Sequence, residues 1–219
     1  MKNNKGKNTR VAIGVPSNDM VYADFAMSLV NMTTQSALKG LSIAVINQKS
    51  SLVEVGRSEI VDMAKQVKAD YLFYLDTDMV FPSHTLLKLL SHKKDIVCCD
   101  ALRRREPFVT VVETNKGGRI DHESCDTHLI EVKGVSGACT LINMEVFEKI
   151  EKPYFHVEWL GNNTFRGEDY YFSKKAIDSG FKVYCDVKLS QYIGHIGVRA
   201  YYVPRKKEEK KIVVPKLVQ

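Results

Sequence analysis

The sequence predicts an α/β fold with a mostly parallel central sheet and a mixed second half. Two observations carry that prediction. Over the first hundred residues, short apolar runs alternate with segments whose apolar residues recur at helical spacing, the rhythm of parallel strands covered on both faces by helices. Beyond residue 100 the rhythm becomes strand-like segments broken by glycine turns, so the later sheet is expected to be mixed. The 219 residues, 44% hydrophobic and 26% charged, suit one globular domain or a small two-lobed one.

Each element follows in order. RVAIGVPS (10–17) reads as a short buried strand ending at a Pro/Ser turn. The next segment fits a helix, with Ser17 or Asn18 as its cap and Gly40 as its stop. LSIAVINQ (41–48) is a second strand, and 53–70 a second helix with Ile60, Met63, Ala64 and Val67 on one face. YLFYL (71–75) is a third strand, 83–94 a short helix and DIVCC (95–99) a fourth strand. Segment 108–144 reads as strands and a hairpin turning at Gly117-Gly118. MEVFEKI gives a helical turn or two, 167–180 a helix closed by Gly180, and FKVYCDV a final strand. The folded domain is expected over 10–200, between a basic N-terminus (1–9) and a charged C-terminal tail (201–219).

Composition excludes several classes. No stretch approaches the roughly 20 apolar residues of a membrane span, and no signal-peptide pattern precedes the first strand. The expectation is a soluble, intracellular protein. Five cysteines without a CxxC pair argue against a disulfide framework and a structural zinc site, and read as reduced and structural. The net charge of +6 gathers at the ends, in Lys2, Lys5, Lys7, Arg10 and RKKEEKK (205–211), as solvated tails or as a grip on an acidic partner.

The third strand ends at Asp76, with Asp78 two residues on. Ligands of open α/β sheets collect at the carboxyl ends of strands, and residues i and i+2 of an extended segment point the same way. Two hard oxygen donors side by side suit Mg²⁺ or Mn²⁺ together with phosphate oxygens. The same pair also suits a turn. Further along, Glu168 and Asp169 begin a helix, where acids complement the macrodipole, and His195 lies in GHIG.

Taken in this order, the segments resemble nucleotide-sugar glycosyltransferases of the GT-A fold, particularly the family 2-like group. VAIGVPSND is similar to that family's nucleotide-contacting first strand, and VGRSEIVDMAKQVKADYLFYLDTDMVF to its Arg-containing helix and Asp-x-Asp strand. VSGACTLINMEVF resembles its strand beside the acceptor, GEDYYFSKKAIDSG its Glu-Asp helix, and GHIG its late histidine. The resemblance covers roughly residues 10–200, and the chain resembles the small soluble members of the group that phages carry.

The resemblance implies a single Rossmann-like GT-A domain moving a hexose from a nucleotide-diphosphate sugar to an acceptor hydroxyl, with inversion favoured over retention. Asp78 would be the direct ligand of Mn²⁺ or Mg²⁺, with Asp76 on ribose or metal and His195 on metal or diphosphate. The metal would neutralise charge on the leaving diphosphate. Asp169, with Glu168 next, would be the base for the acceptor. Pro16, Asn18 and Asp19 would lie near base and ribose, and Arg57 would reach the nucleotide, brace the Asp-x-Asp loop or form a surface ion pair. Arg103, Arg104 and Arg105 follow the fourth strand and suit a donor diphosphate, a phosphorylated acceptor or plain solvation. Gly137 and Ala138 would leave room for sugar or acceptor, and Trp159 would stack on a sugar or anchor its loop.

Two other classes compete. A nucleotidyltransferase would need a Gly-rich basic loop after the first strand, which GVPSNDMVYADF does not provide. A nucleic-acid-binding protein would use the basic ends and arginines, but no helix-turn-helix, RRM or zinc-finger signature accompanies them. The acceptor stays open among carbohydrate, protein and modified nucleic acid, including a glycosyltransferase acting on modified DNA bases.

Overall fold

The computed structural model describes residues 8–104 and 106–197; segment 1–7, Arg105 and segment 198–219, which holds the expected charged tail, lie outside the described residues. Strand β1 (Arg10–Ser17) leads through helix α1 (Ala23–Leu38) to β2 (Ser42–Lys49), and α2 (Val53–Gln66) crosses back to β3 (Tyr71–Leu75). Short β4 (Met79–Val80) and α3 (Thr85–Ser91) precede β5 (Ile96–Cys98). Then come β6 (Glu113–Thr114), β7 (Leu129–Gly134), β8 (Cys139–Asn143) and α4 (Val146–Lys149). The hairpin β9 (Glu158–Gly161) and β10 (Thr164–Arg166) leads into α5 (Glu168–Asp178), followed by β11 (Val183–Asp186), α6 (Val187–Ser190) and β12 (Gly194–His195).

Eight strands form the main sheet in the order β2-β1-β3-β8-β5-β11-β7-β6. β1 pairs in parallel with β2 and β3, and β5 with β11. β8 runs against β3 and β5, and β7 against β11 and β6. Six strands thus share one direction and two oppose them, the mostly parallel sheet with a mixed second half that the sequence predicts. The insertion of β8 between β3 and β5 is not foreseen in the sequence. Because β1 has β2 on one side and β3 on the other, the chain reverses its winding there, and the carboxyl ends of β1 and β3 open a switch-point crevice.

Side-chain alternation on the strands fills two cores. On β3, Leu72 and Tyr74 join α2, α4 and α5 through Ile60, Ala64, Phe147 and Phe172. Phe73 and Leu75 face the other way, toward Phe25 and Met32 of α1 and Leu86 and Leu89 of α3. Gly14 sets the depth of α2 against β1, because a Cβ there would lie 2.5 Å from Cγ2 of Ile60. That close approach brings Arg57, one turn earlier on α2, to the sheet edge.

Helix α1 begins at Ala23 rather than at Ser17 or Asn18. The Ser17 hydroxyl bonds the carbonyl of Asn18 and Oδ1 of Asn47, so residues 18–22 remain a loop at the crevice, tied by the Tyr22 N–H to the Thr77 carbonyl at 3.3 Å. Gly40 and Gly180 stop α1 and α5 with φ of +88° and +89°. All five cysteines are free thiols, and no helix among the described residues is long and apolar enough to cross a membrane.

Candidate active site

The ends of β1, β2 and β3 enclose a cavity of about 250 Å³ lined by Pro16, Ser17, Asn18, Gln48, Ser50, Gly56, Asp76 and Asp78 among others. Volume does not single it out: a cavity of about 460 Å³ opens at the start of β3 beside Lys65 and Glu148, and one of about 500 Å³ between α1 and Phe81. What distinguishes the crevice is the chemistry converging on it. Pro16 and Asn18 line it at the carboxyl end of β1. Asp19 does not line the cavity; it is exposed and pairs with Lys49 at 3.0 Å.

Asp76 and Asp78 both line the cavity but bind different partners. Beyond Leu75 the chain turns, with the Met79 N–H bonded to the Asp76 carbonyl at 3.2 Å, so the period-2 rule for extended chain does not apply. Asp76 accepts a hydrogen bond from Nη2 of Arg57 at 2.8 Å. Asp78 presents Oδ2 instead to Nη1 of Arg104 at 2.7 Å and Nε2 of His195 at 3.4 Å. Among the described residues no three His, Cys, Asp or Glu side chains gather as a metal-binding group.

Arg57 is buried at 2% exposure, so its ion pairs are not surface ones. It bonds Asp76, Oε1 of Glu168 at 3.2 Å and the carbonyl of Gly137 at 3.1 Å, with its guanidinium 5.2 Å from the Tyr74 ring centroid. Of the three sequence-based alternatives for Arg57, bracing is the one observed. Burial works to lower its pKa, but Asp76 and Glu168 outweigh this and raise it. Gly137 leaves room for this arginine, since a Cβ there would lie 2.9 Å from Nη2. Ala138 is buried in the core and its carbonyl accepts the Asp76 N–H at 3.0 Å.

Helix α5 delivers the acid pair. Asp169 accepts from the N–H groups of Gly137 at 3.2 Å and Tyr170 at 2.8 Å. Burial raises its pKa against these bonds. Burial, with Asp169 adding, also raises that of Glu168, while Arg57 pulls it down. Two carboxyls on one helix start are thus held by one arginine and by the amides of Gly137 and Tyr170.

His195 reaches Asp78 because β12 pairs with β4, placing it opposite Met79, and the Ile196 N–H bonds the Asp78 carbonyl at 2.8 Å. Its Nδ1 donates to the Leu102 carbonyl at 2.7 Å. That bond directs Nε2 at Asp78, and in the neutral ring presents a lone pair there. The hydrogen bond to Asp78 raises the His195 pKa. Burial pushes the Asp78 carboxyl up, but His195 and Arg104 hold it below the usual range. A carboxylate oxygen and an oriented imidazole nitrogen form a donor set that suits Mn²⁺ better than Mg²⁺, with phosphate oxygens and water free to supply the remaining ligands.

The sequence reading missed Asp100. This buried acid, just past β5, accepts from the N–H groups of Ala101, Val111 and Val112 at 2.8–3.0 Å and from Nε2 of His122 at 3.0 Å. It therefore gathers both ends of the excursion that carries Arg103 and Arg104. The signal was available: an acid ends the apolar run IVCC as Asp76 ends YLFYL. Arg103 is exposed on this excursion. Trp159 sits on a β-hairpin rather than a loop, 54% exposed and edge-on to Phe165 with ring centroids 4.7 Å apart. That hairpin ends at Gly167, directly before the acid pair.

No protein-family model and no curated protein sequence matches the chain. Solved structures do match in fold. A197 from STIV aligns with a TM-score of 0.53 and 17% identity over 91% of this chain and 100% of its own. A Drosophila beta-1,4-galactosyltransferase 7 mutant, solved with manganese, UDP-Gal and xylobiose, aligns at 0.51 and 17% over 87% of this chain and 72% of its own. TarS 1–349 of S. aureus aligns at 0.51 and 12% over 85% of this chain, which spans 60% of that structure. The fold is accordingly the GT-A arrangement of these glycosyltransferases.

Proposed function

We propose that this chain is a metal-dependent glycosyltransferase moving a sugar from a nucleoside-diphosphate sugar to an acceptor hydroxyl with inversion. The observation that carries the reading is the meeting, at one sheet edge, of the crevice cavity, the Asp78–His195 donor pair and the buried Glu168–Asp169 pair. The nucleotide occupies the cavity beside Pro16 and Asn18. Asp78 and Nε2 of His195 would hold Mn²⁺, which would offset charge on the departing diphosphate. The manganese and UDP-Gal in the galactosyltransferase structure support that assignment.

Asp169 takes the acceptor proton as attack develops. Burial raises its pKa, which makes it a stronger base than an ordinary aspartate. Arg57 keeps Asp76 and Glu168 in place and so fixes the helix start from which Asp169 projects. Trp159 and Phe165, on the hairpin leading into that helix, offer an aromatic face to the acceptor. A carbohydrate, a protein or a modified nucleic base each provides the required hydroxyl.

The experiment is a thermal-shift panel of UDP, GDP, dTDP and CMP and their sugars with Mn²⁺, Mg²⁺ or EDTA. A nucleotide at 100 times its dissociation constant stabilises by about 2.7 kcal/mol, raising the midpoint by about 5–10 °C. Asp78→Asn should erase the metal-dependent shift. Asp169→Asn should keep it and lose about 10²–10⁴-fold in turnover. Absence of any shift, or full turnover by Asp169→Asn, would refute the corresponding assignment.

A further inference from the structure

Asp78 is held from two directions. His195 approaches on β12, and Arg104 approaches from the excursion after β5; both face the same carboxylate oxygen, at 3.4 and 2.7 Å. The two approaches also hold each other. Nη1 of Arg104 lies 3.5 Å from the Ile196 carbonyl, a Cβ added at Gly197 would lie 3.6–3.7 Å from its Cβ, Cγ and Cδ, and the Leu102 carbonyl binds His195. Yet the partners differ in freedom. The Arg104 side chain is 47% exposed and Asp78 only 15%, so the guanidinium can leave toward solvent while the carboxylate cannot follow.

We propose that Arg104 is an exchangeable counter-ion. It neutralises Asp78 before a divalent cation binds, yields that oxygen to the cation, and then engages the diphosphate of the donor. This rests on reading Asp78 and His195 as the cation site. A largely buried carboxylate needs a charged partner, and Arg104 supplies one in advance. A divalent ion arriving at the same oxygen meets like charge at close range, so the two occupants compete. The displaced guanidinium stays beside the site, because Asp100 fixes the backbone that carries it. Its forked donors match phosphate oxygens. No covalent bond changes in this exchange.

The consequence is a pair of opposite effects that a merely structural arginine would not produce. Arg104 weakens binding of the bare metal and strengthens binding of the diphosphate. Mn²⁺ affinity without nucleotide is measured by EPR of the free ion for the full chain and for Arg104→Gln, Arg104→Lys and Asp78→Asn. Arg104→Gln should bind Mn²⁺ about tenfold more tightly, given the strength of charge-assisted pairs, and Asp78→Asn should not bind it. UDP, GDP, CDP and dTDP are then titrated at saturating Mn²⁺. The tightest of them should lose about tenfold in Arg104→Gln and recover partly in Arg104→Lys. Unchanged or weaker Mn²⁺ binding in Arg104→Gln, with Asp78→Asn still inactive in binding, overturns the exchange but leaves the cation site standing. No Mn²⁺ binding by any of the four chains overturns both. Tighter Mn²⁺ binding with unchanged nucleotide affinity overturns the hand-over to diphosphate.

Discussion

Replacing Arg57 by methionine removes one charge that three groups share. The side chain is 2% exposed and bonds Asp76, Glu168 and the Gly137 carbonyl. Methionine fills similar volume, so the loss is electrostatic. Removing one partner of a buried pair costs about 3–5 kcal/mol. Asp76 and Glu168 are 32% and 15% exposed, so water relieves part of that and the lower end, about 3 kcal/mol, applies. At about 2–4 °C per kcal/mol for a chain of this size, the melting midpoint should fall by about 6–12 °C. The pH dependence gives a second check. Glu168 already titrates above its usual range despite Arg57, and without Arg57 it rises further. The native state then holds protons that the unfolded chain has released, so the variant's stability declines as pH rises above the ordinary glutamate value of about 4.3. Urea unfolding at pH 5 and pH 8 should therefore show the larger deficit at pH 8. A deficit under about 1 kcal/mol at pH 7, or one equal at both pH values, would refute the buried-keystone account of Arg57.

Gly137→Ala discriminates between two uses of a small residue. Its Cβ would press on Arg57 and Asp169, so urea unfolding should register a loss of about 1–3 kcal/mol, whereas a glycine kept only for acceptor space would leave stability intact and raise acceptor KM alone. For the acid pair, kcat/KM should decline on an acidic limb centred above the ordinary aspartate value of about 3.9, because only ionised Asp169 accepts a proton and burial raises its pKa. Glu168→Gln removes a neighbouring negative charge and should move that limb to lower pH. A profile flat down to pH 4 would contradict Asp169 as the base.

Much of the fold is local information and is legible along the chain. The run Leu72–Leu75 alternates into two cores, Gly40 and Gly180 mark helix ends with left-handed φ, and acids mark the ends of β3 and the start of α5. These signals identify the sheet edge and the residues on it, including Pro16, Asn18, Asp76, Asp78, Glu168, Asp169 and His195. They do not say which side chain meets which. Arg57 and Glu168 are 111 residues apart, and His195 reaches Leu102 across 93. Such pairings depend on β8 inserting between β3 and β5 and on β12 returning to β4, and strand order leaves no periodic trace in sequence. The turn after Leu75 likewise gives two carboxylates on one cavity different partners, Arg57 for Asp76 and Arg104 with His195 for Asp78. The sequence by itself determined the main strands and helices, the edge and its acidic chemistry, because these follow from residue periodicity and strand termini. Only the tertiary structure decided that Arg57 is a buried brace, that Gly137 makes room for it, and that Asp78 stands between His195 and Arg104, because each depends on burial and distance between segments far apart in the chain.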